Sequence, residues 1–156
     1  MALGLARAGR REGAELALSY QGERFKERVS EVASEFGSSL VFDCDVADDA
    51  QIEALFGDLA VVWPTFHGFV HSIGYAPKEA IAGDFLEGMS REAFRIAHDI
   101  SSYSFPAMAK AAAPHLTQDA ALLTLTYLGA MRSIPNSNLT GLAKARPAPP
   151  VRYPAA

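Results

Sequence analysis

Sulfur-based chemistry is nearly absent from this sequence: Cys44 is its only cysteine. One thiol excludes an intramolecular disulfide and any zinc site built from several thiolates, and it fits a reducing compartment. Long apolar runs are missing too. No stretch approaches the ~20 residues that a membrane-spanning helix needs. Positive charge is not in excess, since 14 Lys and Arg stand against 18 Asp and Glu for a net charge of −4. That excludes the basic footprint of a nucleic-acid-binding surface. The N-terminus, MALGLARAGRREGAE, carries arginines, but its apolar part is too short for a secretory signal. Glu12 and Glu15 argue against an organelle transit peptide, so the segment reads as an amphipathic helix and the chain as cytoplasmic. What remains is an ordinary globular composition, 49% hydrophobic and 21% charged, in 156 residues. That length suffices for one domain with a sizeable core.

Short apolar runs alternate with amphipathic stretches along the chain. Met1–Glu12 reads as a helix ending near Gly13, and Glu15–Tyr20 as a strand. In Glu23–Phe36, residues Phe25, Val29, Val32 and Phe36 share one helical face, and Gly37 closes the helix. Ser39–Cys44 is the next strand. Asp48 with Gln51 forms a candidate capping box for a helix burying Ile52, Leu55, Phe56 and Leu59. Phe69–Ser72 is a strand and Gly74–Gly88 a loop. Ser90 caps a long helix running to about Ala113, Ala120–Thr126 is a strand, and Asn136–Ala145 a short helix. Strands alternating with helices of this length require crossover connections, hence a parallel sheet. The strands are nearly continuous apolar runs, as expected when both faces are covered. The predicted organisation is a partial dinucleotide-binding domain over residues 1–145 and a Pro-rich irregular tail over 146–156. In that tail Pro147, Pro149, Pro150 and Pro154 forbid helix.

Four segments hold residues that could carry chemistry. In LLTLTYLGAMRSIPNSNLTGLAKA, Tyr127 follows a strand, and Ser137 and Lys144 lie seven residues apart, about two helical turns. Such spacing alone is common, and a surface lysine would explain it. In VHSIGYAP (Val70–Pro77), Gly74 lets the backbone approach a flat ring closely, at a strand's carboxyl end where open α/β sheets bind ligands. A satisfied His71 at an ordinary strand exit is the plain alternative. The strand ends SYQ and CDV carry Gln21, Asp45 and Val46, and Gln21 stands where many dinucleotide enzymes put a carboxylate to hold the adenosine ribose. An Asx turn or helix cap before Asp48 is the plain alternative for Asp45. Finally, FRIAHDISSYSF offers His98, Asp99, Ser101 and Ser102. One His and one Asp on a helix make neither a closed metal site nor an activated nucleophile, so no metal site is expected.

These four segments, read as text, closely resemble the bacterial enoyl-acyl-carrier-protein reductases, a branch of the short-chain dehydrogenase/reductase superfamily. The resemblance carried by TYLGAMRSIPN, HSIG-x-AP and HDISSYSF extends from Met1 to Tyr153. It implies a Rossmann-type doubly wound parallel sheet of the α/β class, with NADH as cofactor and an enoyl thioester on acyl-carrier protein as substrate. It also implies a homo-oligomer whose long helix packs between subunits. It assigns catalytic roles to Tyr127, Lys144 and the position of Ser137. Gly4, Gln21, Asp45, Val46, Ile73, Gly74 and Lys144 would contact the cofactor, and Ala76 and Tyr127 the substrate. NADPH is less expected than NADH, because the neutral Gln21 is the family's habit, although Arg24 and Lys26 lie nearby.

The sequence also departs from that pattern. The family begins with a strand and a Gly-rich loop cradling the pyrophosphate. This chain starts inside the loop, with Gly4 surviving of its glycines, and lacks the family's C-terminal strands. The resemblance therefore implies a fold truncated at both ends. The missing first strand would lie between those at Glu15–Tyr20 and Phe69–Ser72, leaving four parallel strands with a gap or a re-pairing at the centre. Ser137 stands where the family has a second tyrosine, and Pro106 is expected to interrupt the long helix. The chain is expected to be inactive. Alternatives are a different short-chain dehydrogenase, whose tyrosine would fall at Thr140, a non-catalytic interaction protein, and a remnant that does not fold.

Overall fold

In the computed structural model, which describes residues 1–135 and 137–145, the chain divides into two compact units, Met1–Pro64 and Thr65 onward. The expected tail lies outside the described residues, as does Asn136.

The first unit holds α1 (Ala2–Arg11), β1 (Leu18–Tyr20), α2 (Lys26–Glu35), β2 (Val41–Asp43) and α3 (Asp49–Val62). β1 and β2 pair in parallel, Leu18 opposite Val41. α2 ends as predicted. Gly37 adopts φ +71°, and Ser38 N–H reaches back to the Ala33 carbonyl, satisfying the helix end. Asp48 caps α3 through a 2.9 Å bond from Ala50 N–H, and the helix buries Ile52, Leu55, Phe56 and Leu59. The capping box does not close. Gln51 Oε1 instead accepts from Asp45 N–H at 2.8 Å, because the chain turns back at the end of β2 and presents that donor first.

The second unit holds β3 (Phe66–His71), α4 (Arg91–His98), α5 (Ser104–Ala112), β4 (Leu116–Thr124) and α6 (Asn138–Lys144). β3 and β4 are parallel, with a register irregularity at Gly68. Gly68 has φ +140°, and a Cβ there would overlap the Ala121 carbonyl oxygen, so only glycine fits. The core beside the helices is built of small residues: Ala76, Ala80, Ala93, Ala97 and Ala143 around Leu139. Small side chains let backbones approach closely.

Four parallel strands are present, in two separate pairs, β1–β2 and β3–β4. No direct pairing of the two strand pairs across the missing position is present among the described residues. Coverage of both strand faces is incomplete. Val70 and Leu123, opposite each other in register, are each 48% exposed. A strand in a two-stranded sheet has few neighbours to shield it.

Pro106 does not break the helix. α4 passes into a π-helical turn, Asp99–Tyr103, and then into α5, which runs through Pro106. In an α-helix the proline ring would crowd the carbonyl four residues back, that of Ser102, and this residue lies inside the wider turn.

Candidate active site

The π turn is the hub of the second unit's polar groups. Ser101 Oγ accepts from Tyr75 N–H and donates to Tyr75 C=O, both at 2.9 Å. Ser102 Oγ donates to the Ala143 carbonyl at 2.5 Å. Ser104 Oγ donates to the Ile100 carbonyl at 2.6 Å and lies 2.8 Å from His71 Nε2. Since the Ser104 proton is committed to Ile100, its oxygen accepts from His71 Nε2–H. His71 Nδ1 is then the acceptor for the Thr124 hydroxyl, 3.1 Å away. His71 is fully buried, and burial, aided by the nearby Lys144 charge, lowers its pKa to about 4. The ring is therefore neutral and ties β3 to β4 and α5. The edge of Phe105, 5.7 Å between centroids, closes it in.

Lys144 ends α6 and is 5% exposed. Its Nζ donates to the Ile73 carbonyl at 2.6 Å, a charge-assisted bond that offsets part of the burial cost. Burial lowers its pKa. Its stem runs beside Gly74, where an added Cβ would meet Lys144 Cε at 3.2 Å. Tyr127 follows β4 and folds over Gly129 and Gly141. A Cβ on Gly129 would lie 2.6 Å from the ring. The Tyr127 hydroxyl donates to the Ser137 carbonyl at 3.4 Å, a long bond that a better acceptor could replace. Ser137 precedes α6, and its hydroxyl makes no cap bond to the helix.

In the first unit, a polar hollow of about 330 Å³ sits at the carboxyl ends of β1 and β2, lined by Gln21, Gly22, Arg24, Asp43, Asp45 and Gln51. Gln21 Nε2 donates to Asp45 at 2.9 Å, and Gly22 N–H to Asp43 at 2.8 Å. Both nearby cations have partners: Lys26 pairs with Glu23, and Arg24 lies over the Phe25 ring at 4.5 Å.

A tyrosine just past a strand, a helix-borne buried lysine and a glycine-bearing strand exit thus lie in the second unit. The family model for enoyl-(acyl carrier protein) reductase matches residues 1–156. The chain belongs to this family. The enoyl-[acyl-carrier-protein] reductase [NADH] FabI of Salmonella typhimurium is 57% identical over 153 residues, covering 98% of this chain and 58% of that protein. The protein of the same name from Neisseria meningitidis is 52% identical, covering 100% of this chain and 60% of its own length. Among solved structures, the enoyl-[acyl-carrier-protein] reductase (NADH) of Aquifex aeolicus superposes with a TM-score of 0.93 at 42% identity, over 97% of this chain and 60% of that one. The Bacillus cereus reductase, solved with NADP+ and indole naphthyridinone, gives 0.92 at 38% identity, over 97% and 60%. The fold is the Rossmann-type α/β fold of these reductases, and it is incomplete. The chain spans about 60% of the length of the relatives it matches.

Against the enoyl reductase pattern, Lys144, Ile73, Gly74, Tyr127 and Ser137 come together in the second unit. Gln21 and Asp45 come together in the first, with the neighbouring Val46 buried. Gly4 lies inside α1 rather than in a loop, with no atom within 4 Å of where its Cβ would be. The Ala-initiated helix starts before it. Ala76 is 4% exposed and packs in the alanine core. His98 stacks on Phe94 and bonds its carbonyl, and Asp99 faces Arg95 at 3.8 Å. Sequence reasoning passed over Ser104 and Thr124. The signal was there: hydroxyls recurring in ISSYS, within a helix otherwise rich in apolar residues, ask for internal acceptors.

Proposed function

We propose that this chain is part of an NADH-dependent enoyl-acyl-carrier-protein reductase that reduces the 2,3 double bond of enoyl thioesters in fatty acid biosynthesis, with little activity in the chain as it stands. The observation that carries the reading is the buried Lys144 ammonium, held on the Ile73 carbonyl at the strand exit, with Thr126, the residue before Tyr127, bonded to the Lys144 carbonyl. We take residues 1–145 as one partial dinucleotide-binding domain of a cytoplasmic homo-oligomer.

The bound nicotinamide would supply a hydride to the β-carbon of the enoyl thioester. Lys144 keeps two N–H donors beyond the one on Ile73, enough to hold ribose hydroxyls and to add positive charge beside the developing enolate. Gly74 and the Ile73 backbone would face the nicotinamide, and Ala76 the acyl chain. Tyr127, released from its long bond to Ser137, would donate to the thioester. Ser137 cannot do what a tyrosine would there: its hydroxyl is several ångströms shorter in reach and a weaker acid.

The first unit's hollow fits an adenosine bearing free hydroxyls. Ribose hydroxyls donate, and Asp43 and Asp45 accept. A 2′-phosphate would instead face two carboxylates, with Lys26 and Arg24 already partnered. This favours NADH over NADPH, in line with the NADH named for the Salmonella and Neisseria relatives, whereas the Bacillus cereus structure holds NADP+.

The test is NADH oxidation with a crotonyl thioester, with calorimetry of NADH and NADPH alongside. Restoring one oxyanion donor by Ser137→Tyr should raise turnover by about 10²–10³ over a parent near background. NADH should bind with a dissociation constant of order millimolar or weaker, and NADPH more weakly still. Robust turnover by the parent would refute inactivity. No gain in the variant at saturating NADH would refute the reading itself.

A further inference from the structure

We propose that Ser101 is a positioning residue of this site, a latch that holds the strand-exit loop so that the Ile73 carbonyl stays on Lys144. Ser101 is 1% exposed, and its single hydroxyl closes both main-chain polar atoms of Tyr75. Tyr75 therefore has no main-chain donor left to trade with neighbours, and its backbone is pinned to the π turn although its side chain is 52% exposed. Two residues back, Ile73 offers the carbonyl that receives the Lys144 ammonium. The residue between them is Gly74, the softest backbone available. A soft link between a pinned residue and a charged bond passes the position of one to the other only while the pin holds.

The geometry around Gly74 supports the coupling. The place its Cβ would occupy is 3.2 Å from Lys144 Cε and 3.9 Å from Ser101 Oγ, so the lysine stem, the loop and the latch meet at one point. The same π turn sends Ser102 to the Ala143 carbonyl, next to Lys144 in α6, and the first residue of α5, Ser104, bonds His71, which precedes the loop. The π turn thus holds the loop and the helix carrying the lysine, and the α5 residue that follows it holds the strand before the loop. Removing the Ser101 hydroxyl takes the partner from a part-buried N–H and C=O together, and the loop is then free to move in search of others.

The functional meaning of the latch rests on the proposed reading of Lys144, whereas the latch itself does not. In the full chain, trace acetylation with acetic anhydride across a pH series, read by mass spectrometry, reports the availability of Lys144 against the exposed Lys110. In Ser101→Ala, labelling of Lys144 relative to Lys110 should rise, and exchange of the Tyr75 amide should quicken, each by about tenfold, the effect of losing one hydrogen bond. Ser101→Thr keeps the hydroxyl and should stay within about twofold of the parent on the same scale. Unchanged Lys144 labelling in a folded Ser101→Ala chain overturns the proposal. Should both variants fail to fold, the parent decides: a Tyr75 amide exchanging as fast as that of the exposed Gly83 overturns the latch, and clear protection supports it. Added NADH separates the two ideas. Protection of Lys144 by NADH with no effect of Ser101→Ala sinks the latch alone. The Ser101→Ala effect without any response to NADH sinks the cofactor reading alone.

Discussion

In the first unit Gln21, Asp43 and Asp45 make their hydrogen bonds at the surface, whereas in the second His71, Ser101, Ser104 and Lys144 make theirs away from water. A surface bond trades one partner for another at little cost, so the first unit's polar groups are free to be taken over by a ligand. A buried bond is costly to leave unmade, so the second unit's groups hold one another in a single arrangement. The difference separates two uses of polar residues in one short chain. One set is available for recognition, and the other fixes where a charged side chain can stand.

The largest expected effect probes the buried set. Above the ordinary imidazole pKa of 6.5, His71 is neutral in both folded and unfolded chains and makes no pH-dependent difference. As pH falls toward its folded value of about 4, the unfolded imidazole takes up a proton that the folded one refuses, and stability drains away. The ceiling is about 3 kcal/mol, from the gap between those two values. Urea midpoints of the second unit should therefore fall between pH 7 and pH 4, more steeply in the parent than in His71→Asn. Equal slopes would mean that the buried network is not what titrates.

A smaller effect comes from an exposed capping group in the first unit. Asp48→Ala removes the α3 cap and should cost about 1 kcal/mol. Trp63, the only tryptophan, sits at the far end of the same helix, so its fluorescence reads the transition directly. A midpoint unchanged by the substitution would show that α3 is held by its buried face alone. The smallest effect completes the contrast. Gln21→Ala deletes a well-formed bond to Asp45, yet should move stability by no more than about 0.5 kcal/mol, as surface changes do. A loss as large as that from Asp48→Ala would erase the distinction between the two sets.

How much of this was legible in the sequence follows the same division. α3 could be read almost completely, because Ile52, Leu55, Phe56 and Leu59 repeat at helical spacing behind an Asp cap. Ser90 was legible as a cap for the same reason, and its bond from Ala93 N–H is present. Strand ends were not. The apolar run Glu15–Tyr20 pairs only over Leu18–Tyr20, while β4 begins at Leu116, earlier than its composition indicates. Pairing partners set those limits, and a local run does not record them. Tyr127 and Lys144 were singled out by their wording. Their supports were not, since a serine in a helix reads as polar surface unless its acceptor is known. The π turn left no trace, because moving a hydrogen bond by one residue changes no amino acid.

That turn has a consequence for how the chain tolerates change. It amounts to one residue more than an α-helical turn would use. Deleting any single residue of Asp99–Tyr103 would let the helix close as α throughout, and everything after it would swing by about 100°. Ser104 and Phe105 would leave His71, though neither had been substituted. Insertions and deletions are usually the mildest lesions in an exposed loop and the harshest in a core. Here the count of residues, apart from their identity, sets the phase between α4 and α5, and a codon lost from this stretch should do more harm than most codons altered within it.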